Sequence, residues 1–119
     1  MAYSKEKCEG LSAAINRNLG ELETAKGRRH RAQEEAETAQ GKINSLTENL
    51  EHLKRQSQLH PKDVSLQENV AEKKRQISAA EGERNRAKAR HQEEDGIVGR
   101  LNETINELRI ERGTHCPHL

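Results

Sequence analysis

Residues 56–67, QSQLHPKDVSLQ, interrupt a regular pattern of apolar residues that runs through the chain on both sides of them. Pro61 disfavours helix at the residue before it but is tolerated in the first turn of a new helix. Asp63 can cap such a helix with its carboxylate. These residues predict a turn at about 59–63, with one helix over about 5–58, a second over about 64–112, and a short C-terminal tail.

On both sides of this turn, one set of positions recurs in alternating steps of three and four, which is the a/d heptad pattern of a coiled coil. Before the turn the positions are Cys8, Leu11, Ile15, Asn18, Leu22, Ala25, Arg29, Ala32, Ala36, Ala39, Ile43, Leu46, Leu50, Leu53 and Ser57. After it they are Leu66, Val70, Lys73, Ile77, Ala80, Arg84, Ala87, His91, Glu94, Val98, Leu101, Ile105 and Leu108. We call each series of positions a seam. The second seam is out of heptad register with the first, so one continuous helix cannot carry both on the same face. We therefore predict an all-α fold in which residues 1–119 form one antiparallel coiled-coil hairpin.

The two seams fit together when the numbers of paired residues add up to 123, as a turn centred at 61–62 requires. Arg29 then meets Glu94 inside the seam, and the bulky Arg84 and His91 each face an alanine. A parallel dimer would stack Arg29 on itself, and an unpaired buried charge costs several kcal/mol. These four residues are therefore predicted to set the register. Three flanking pairs of opposite charge agree with it: Lys26 with Asp95, Glu35 with Arg90, and Lys42 with Glu83.

Composition limits the core and the function classes. Hydrophobic residues make up 30% of the chain, charged residues 34%, and Tyr3 is the single aromatic residue. A narrow apolar seam fits these values better than a multilayer core, since aromatic side chains supply much of a core's buried area. The pattern contains no phosphate-binding loop after a strand and predicts no pocket that would shelter a nucleophile and a base. We therefore expect no enzymatic activity, no cofactor and no small-molecule substrate.

The formal net charge is +1, and a balanced charge argues against nonspecific binding to nucleic acid or to an anionic membrane surface. No apolar run approaches membrane-spanning length, and the first residues lack the hydrophobic core of a signal peptide. We expect a soluble, cytoplasmic protein.

Glycines are the most informative surface feature of the predicted hairpin. Five of the eight glycines occupy heptad position f, directly away from the seam: Gly20, Gly27, Gly41, Gly82 and Gly96. Each glycine inside a helix costs roughly 0.8–1.0 kcal/mol relative to alanine, so this small-residue face needs an explanation. One interpretation is close approach of another helix or a filament surface. The other is a solvent-facing side that tolerates glycine.

Basic residues concentrate in the middle of both helices. This basic belt consists of Arg28, Arg29, His30, Arg31, Arg84, Arg86, Lys88 and Arg90. RNA phosphates would suit such a belt, but acidic residues lie beside it and no aromatic side chain is available for base stacking. We favour a solvated, salt-bridged surface and keep nucleic-acid binding as the alternative.

Cys8 and Cys116 have numbers that add up to 124, so the register brings them to the same open end of the hairpin. A disulfide there would close a loop of about 100 residues, worth roughly 4–5 kcal/mol in the chain-entropy model. In a reducing cytosol both cysteines would stay thiols, and the sequence leaves their redox state open. His115 and His118 add metal-capable atoms nearby, but without the spacing of a zinc site, so we predict no metal site.

The function expected from these features is a non-enzymatic scaffold that packs into a helical bundle, a filament or a multisubunit assembly through its small-residue face. Its partners would be other proteins or further copies of itself, including a dimer in which two chains exchange arms. An RNA-binding hairpin is the second hypothesis. A chaperone or tether that grips a client at the open end is the third.

Overall fold

The computed structural model describes residues 2–116 of the chain. It contains two α-helices, α1 (Lys5–Leu59) and α2 (Val64–His115), and no strand among the described residues. The predicted all-α helical hairpin is confirmed. Residues 117–119, the end of the predicted C-terminal tail with its His118, lie outside the described part.

Hydrogen bonds at the turn explain why the helices end and begin where they do. The last turn of α1 continues to His60, whose amide donates to the Gln56 carbonyl at 3.0 Å. The amide of Leu66 donates to the Asp63 carboxylate at 3.3 Å, so Asp63 is the N-cap of α2. Gln67 donates from its side chain to the Pro61 carbonyl at 3.0 Å. The proline and the capping aspartate thus act as their positions in the sequence predict.

The N-terminus of α1 has a cap that the sequence analysis missed. The Ser4 hydroxyl accepts a hydrogen bond from the Lys7 amide at 3.2 Å, three residues further on. This is the usual geometry of a serine N-cap, which is worth about 1 kcal/mol relative to alanine. The local signal was a serine directly before the first helical residue.

Burial follows the two predicted seams position by position. Every predicted seam residue, from Cys8 to Ser57 on α1 and from Leu66 to Leu108 on α2, is buried or half-buried. The most deeply buried of them are small, with Ala25 at 0% and Ala80 and Ala87 at 1% exposure. The hairpin therefore has a narrow core in which these alanines are covered most completely and the larger apolar side chains are buried at some positions and half-buried at others.

The chain divides into two compact units, each containing a segment of both helices. Unit 1 consists of residues 1–30 and 91–119, of which 2–30 and 91–116 are described. One of its apolar clusters comprises Leu22, Ala25, Val98 and Ile105, with Leu19, Ile97 and Leu101 packed against it. The other lies at the open end and comprises Cys8, Leu11 and Cys116, with Tyr3 and Leu108 against it.

Unit 2 consists of residues 31–90, which include the turn. Its buried apolar residues are Ala32, Ala39, Ile43, Leu50, Ala80 and Ala87. Several larger seam residues of this unit, including Leu46, Leu53 and Ile77, are only half-buried, because a pair of helices covers its seam from two sides only.

The second helix is longer than predicted, since α2 ends at His115 and not near residue 112. One hydrogen bond from Tyr3 and one within the end of α2 hold this last turn. The Tyr3 amide donates to the His115 carbonyl at 3.1 Å, and the Cys116 amide donates to the Arg112 carbonyl at 2.7 Å. A sequence pattern that follows heptads could not show this, because Tyr3 precedes α1 and has no heptad position.

Candidate functional site

The five glycines of the small-residue face are not required by the fold itself. None of them has a positive φ, so backbone conformation does not demand glycine. An added Cβ would meet nothing within 4 Å at Gly20, Gly27, Gly41 or Gly96. Within the hairpin, therefore, neither strain nor packing explains why these helix positions lack a side chain.

The two helices carry separate glycine faces. Position f is the outermost heptad position of each helix, so in a pair the f positions of the two partners point in opposite directions. Unit 1 accordingly presents Gly20 and Gly27 on α1 and Gly96 on α2, while unit 2 presents Gly41 on α1 and Gly82 on α2. What the sequence suggested as one small-residue face consists of an α1 face and an α2 face.

Gly82 differs from the other four glycines because an arginine from its own helix lies over it. A Cβ at Gly82 would stand 3.3 Å from Nη1 of Arg86. Gly82 is half-buried as a result, whereas the other four are exposed. The glycine provides the space in which this guanidinium lies along α2.

The register-setting charges in unit 1 pair differently from the prediction. Nε of Arg28 donates to Oε1 of Glu94 at 2.9 Å, and Nη1 of Arg29 donates to Oδ1 of Asp95, also at 2.9 Å. The expected Arg29–Glu94 pair is therefore wrong. The long Arg29 side chain extends out of the seam toward the more exposed carboxylate, where water continues to solvate both charges.

Of the three predicted flanking pairs, two are formed. Lys42 lies 3.6 Å from Glu83, and Arg90 donates to Glu35. The expected Lys26–Asp95 pair is wrong, because Arg29 occupies Asp95 and Lys26 lies 3.9 Å from Glu23 on its own helix.

The other two residues predicted to set the register are half-buried on α2. Arg84 donates from Nη1 to Oε1 of Gln40 on α1 at 2.9 Å and from Nε to Oδ1 of Asn85 at 3.3 Å. Its guanidinium thus reaches past the seam to a neutral amide. His91 is half-buried at its seam position.

Four of the six arginines in the basic belt are committed to side chains of the hairpin. Arg28, Arg29 and Arg90 donate to carboxylates, and Arg84 donates to amides. A belt in which these four arginines are already paired offers few free cations to a phosphate backbone. Arg31 and Arg86 differ from these four, since neither has a hydrogen-bond or ion-pair partner among residues 2–116.

These two arginines line a groove on unit 2 with a volume of about 550 Å³. The groove runs between α1 and α2 and has Ala39 and Thr38 among its lining residues, together with Lys42 and Glu83. The Lys42–Glu83 ion pair also lines a smaller cavity of about 280 Å³. The other residues that line this cavity are Leu46, Gln76, Ala79 and Ala80. The sequence places both arginines in the basic belt, but it does not show that their neighbours leave them unpaired.

At the open end, Cys8 and Cys116 form a disulfide with a Cα–Cα distance of 6.0 Å. The Tyr3 ring stacks on His115 with centroids 4.2 Å apart, and Nζ of Lys7 lies 3.9 Å from the Tyr3 ring centroid. The Tyr3 hydroxyl donates to Oε1 of Glu111 at 3.0 Å. This hydrogen bond, together with partial desolvation and the carboxylate charge, raises the pKa of Tyr3 above its usual value of 10.0.

Residues 2–116 contain no group of three or more histidine, cysteine or acidic side chains arranged to hold a metal ion. Neither helix, over the same residues, is long and apolar enough to cross a membrane. Comparison of the chain with protein-family models, curated proteins and solved structures gives no match.

Proposed function

We propose that this chain is a non-enzymatic scaffold hairpin that docks other helices, or further copies of itself, against the glycine faces of α1 and α2. The observation that supports this proposal is that four of the five f-position glycines have open space where a Cβ would stand. Each such glycine weakens its helix by roughly 0.8–1.0 kcal/mol relative to alanine. Close approach of another backbone is the arrangement that would use their small size.

Two faces on opposite sides of a hairpin suit a scaffold better than a single docking site. A helix seated on the α1 face of a unit leaves the α2 face of that unit open, so one hairpin could join two neighbours. Repetition of this arrangement gives a bundle or a filament, and two-fold pairing through one face gives a dimer. We propose such an assembly role, with other proteins or further copies as partners, for a soluble protein. In the reducing cytoplasm, the location expected from the sequence, the hairpin would act with Cys8 and Cys116 as free thiols, whereas the disulfide form suits an oxidising compartment.

The test is a fourfold variant in which Gly27, Gly41, Gly82 and Gly96 become alanine. Helix stability should rise, by up to roughly 0.8–1.0 kcal/mol per site, while assembly weakens because the added methyl groups hold a neighbouring backbone away. Light scattering over a range of concentrations measures assembly, and urea unfolding measures stability. The matched control changes four other f positions to alanine: Glu48, Arg55, Glu68 and Glu103.

Equal assembly by the glycine variant and the wild type would contradict docking through these faces. A wild type that stays monomeric at every concentration would exclude self-docking. The same two variants would then be compared by cross-linking in the native cell. The proposal requires that the glycine variant loses a cross-linked protein that the control variant retains.

A further inference from the structure

The groove on unit 2 has a composition that the glycine faces do not explain. It is lined by four basic residues, Arg31, Lys42, Arg86 and Arg90, and by the acidic Glu34, Glu35 and Glu83. Two ion pairs, Lys42–Glu83 and Arg90–Glu35, neutralise much of this charge. The remaining arginines, Arg31 and Arg86, have no partner among residues 2–116 although carboxylates lie in the same groove.

The spacing of the two unpaired arginines follows from the ion pair between them. Arg31 precedes Glu35 by four residues on α1, and Arg86 precedes Arg90 by four residues on α2. Because the helices are antiparallel and Glu35 pairs with Arg90, the two arginines lie one helical turn away from that pair in opposite directions. Their separation along the groove is therefore about two turns, or roughly 12 Å at 1.5 Å per residue.

That separation matches the repeat of an α-helix. Side chains seven or eight residues apart on a helix lie on one face and are separated by roughly 10–12 Å. A helix laid along the groove could thus place one carboxylate against each arginine, each forming a charge-assisted hydrogen bond. The small side chains of Thr38 and Ala39 within the groove would let its backbone come close.

The acidic residues in the groove favour a protein over a nucleic acid as the occupant. A phosphate backbone carries a charge at every nucleotide and would meet Glu34, Glu35 and Glu83 along the same path. An acidic helix can instead place its carboxylates only where the arginines lie and present neutral side chains elsewhere. The absence of any aromatic residue from this groove also removes the stacking surface that single-stranded nucleic acids use.

We propose that the groove on unit 2 binds an amphipathic helix of a partner protein, with acidic residues seven or eight positions apart facing Arg31 and Arg86. This inference goes beyond the docking faces proposed above, because it concerns a different surface and gives the partner a charge pattern. Gly27, Gly41 and Gly96 do not line the groove, but Gly82 lies under Arg86. The two proposals are therefore tested separately when Gly82 is left unchanged in the groove experiment.

The test uses the full chain and a fluorescein-labelled, alanine-based helical peptide of about 21 residues, roughly 32 Å long. The peptide carries two glutamates seven positions apart, and its matched control carries glutamine at both. Fluorescence anisotropy at low salt measures binding. The protein variants are the double change Arg31→Gln and Arg86→Gln and, as a control, Arg100→Gln, which removes an exposed arginine of unit 1.

We expect the glutamate peptide to bind the wild type and the Arg100→Gln protein equally, and the double variant roughly tenfold more weakly. The glutamine peptide should bind all three proteins weakly. Its affinity should equal that of the double variant for the glutamate peptide. Equal binding of both peptides by the wild type, or no measurable binding, would overturn the proposal. A labelled uridine oligonucleotide that binds more tightly than the peptide, through the same two arginines, would also overturn it in favour of RNA.

Discussion

Arg28 donates from Nε to Oε1 of Glu94 at 2.9 Å, and the second carboxylate oxygen of Glu94 is buried without a hydrogen-bond partner. The Glu94 side chain is 17% exposed and the Arg28 side chain 44%. One member of the pair therefore lies in the seam and the other largely in water. Loss of Arg28 would therefore leave a charge unpaired in the seam, whereas loss of Glu94 would leave a charge that water can solvate.

Removal of the cation should destabilise the hairpin more than removal of the anion. Arg28→Ala leaves a half-buried carboxylate unpaired, and we expect it to lower the free energy of unfolding by about 1–2 kcal/mol. Glu94→Leu places an apolar residue at a seam position and leaves Arg28 solvated. It should leave that free energy unchanged or raise it by up to about 2 kcal/mol. Urea unfolding followed by circular dichroism measures both.

The more exposed pair provides the control for this comparison. Arg29→Ala removes the partner of Asp95, whose side chain is 62% exposed, and should cost less than about 1 kcal/mol. A larger loss for Glu94→Leu than for Arg28→Ala would show that Glu94 is a net stabilising residue and would refute the expected order.

Reduction of the Cys8–Cys116 bond should weaken the hairpin without changing its helical content in the absence of urea. The bond spans a sequence separation of 108 residues and so restricts the unfolded chain strongly. We expect a loss of about 2–5 kcal/mol on reduction. The double variant Cys8→Ser and Cys116→Ser should match the reduced wild type and should not respond to reductant. Identical urea midpoints for the oxidised and reduced wild type would contradict this expectation.

The ionisation of Tyr3 can be followed directly, because the chain has one tyrosine and no tryptophan. The hydrogen bond to Glu111 stabilises the neutral phenol, so the folded-state pKa lies above 10.0. The contribution of this contact to stability is therefore fully present below about pH 10 and is lost as the pH rises through the folded-state pKa. Absorbance at about 295 nm should show a higher midpoint in the folded protein than in the same protein unfolded in urea.

Glu111→Ala removes both the acceptor and the negative charge that raise this pKa. The variant should titrate with a lower midpoint than the wild type, close to that of the unfolded chain. A wild-type midpoint at or below the unfolded value would mean that the Lys7 ammonium over the ring outweighs the hydrogen bond to Glu111.

The alanine-rich part of the seam should resist enlargement. Ala87 is 1% exposed, so Ala87→Leu forces extra volume between the helices and should cost about 1–3 kcal/mol. Ala89, two residues away on the same helix, is exposed, and Ala89→Leu should change stability by less than about 0.5 kcal/mol. Urea unfolding of the two variants makes the comparison. An unchanged free energy of unfolding for Ala87→Leu would indicate that the helices can move apart there without a loss of stability.

The sequence was sufficient to predict the features that depend on backbone periodicity. The heptad positions identify the seam, and Pro61 with Asp63 identifies the turn, because each rests on local residue types. The choice of carboxylate by Arg29 was not predictable in the same way. Glu94 and Asp95 are adjacent, both lie within reach of Arg29, and the neighbouring Arg28 competes for Glu94, so heptad position alone does not rank the possible pairs.

The contacts of Tyr3 and the unpaired arginines were missed for a different reason. Tyr3 precedes the first helix, so a rule based on paired residue numbers does not apply to it, and its contacts with Glu111 and His115 depend on how the chain enters α1. In the sequence, Arg31 and Arg86 do not differ from the other arginines of the basic belt. They are left unpaired because neighbouring cations take the nearby carboxylates, in the pairs Lys42–Glu83 and Arg90–Glu35.

The disulfide at the open end makes residues 8–116 a closed covalent ring whose exposed turn includes Lys62. Trypsin cleavage after Lys62 would therefore cut the peptide chain without releasing either arm. The nicked molecule would keep its mass apart from one added water, and it would have new ends at the turn while the original ends stayed joined through sulfur. Only reduction would then let the two helices diffuse apart.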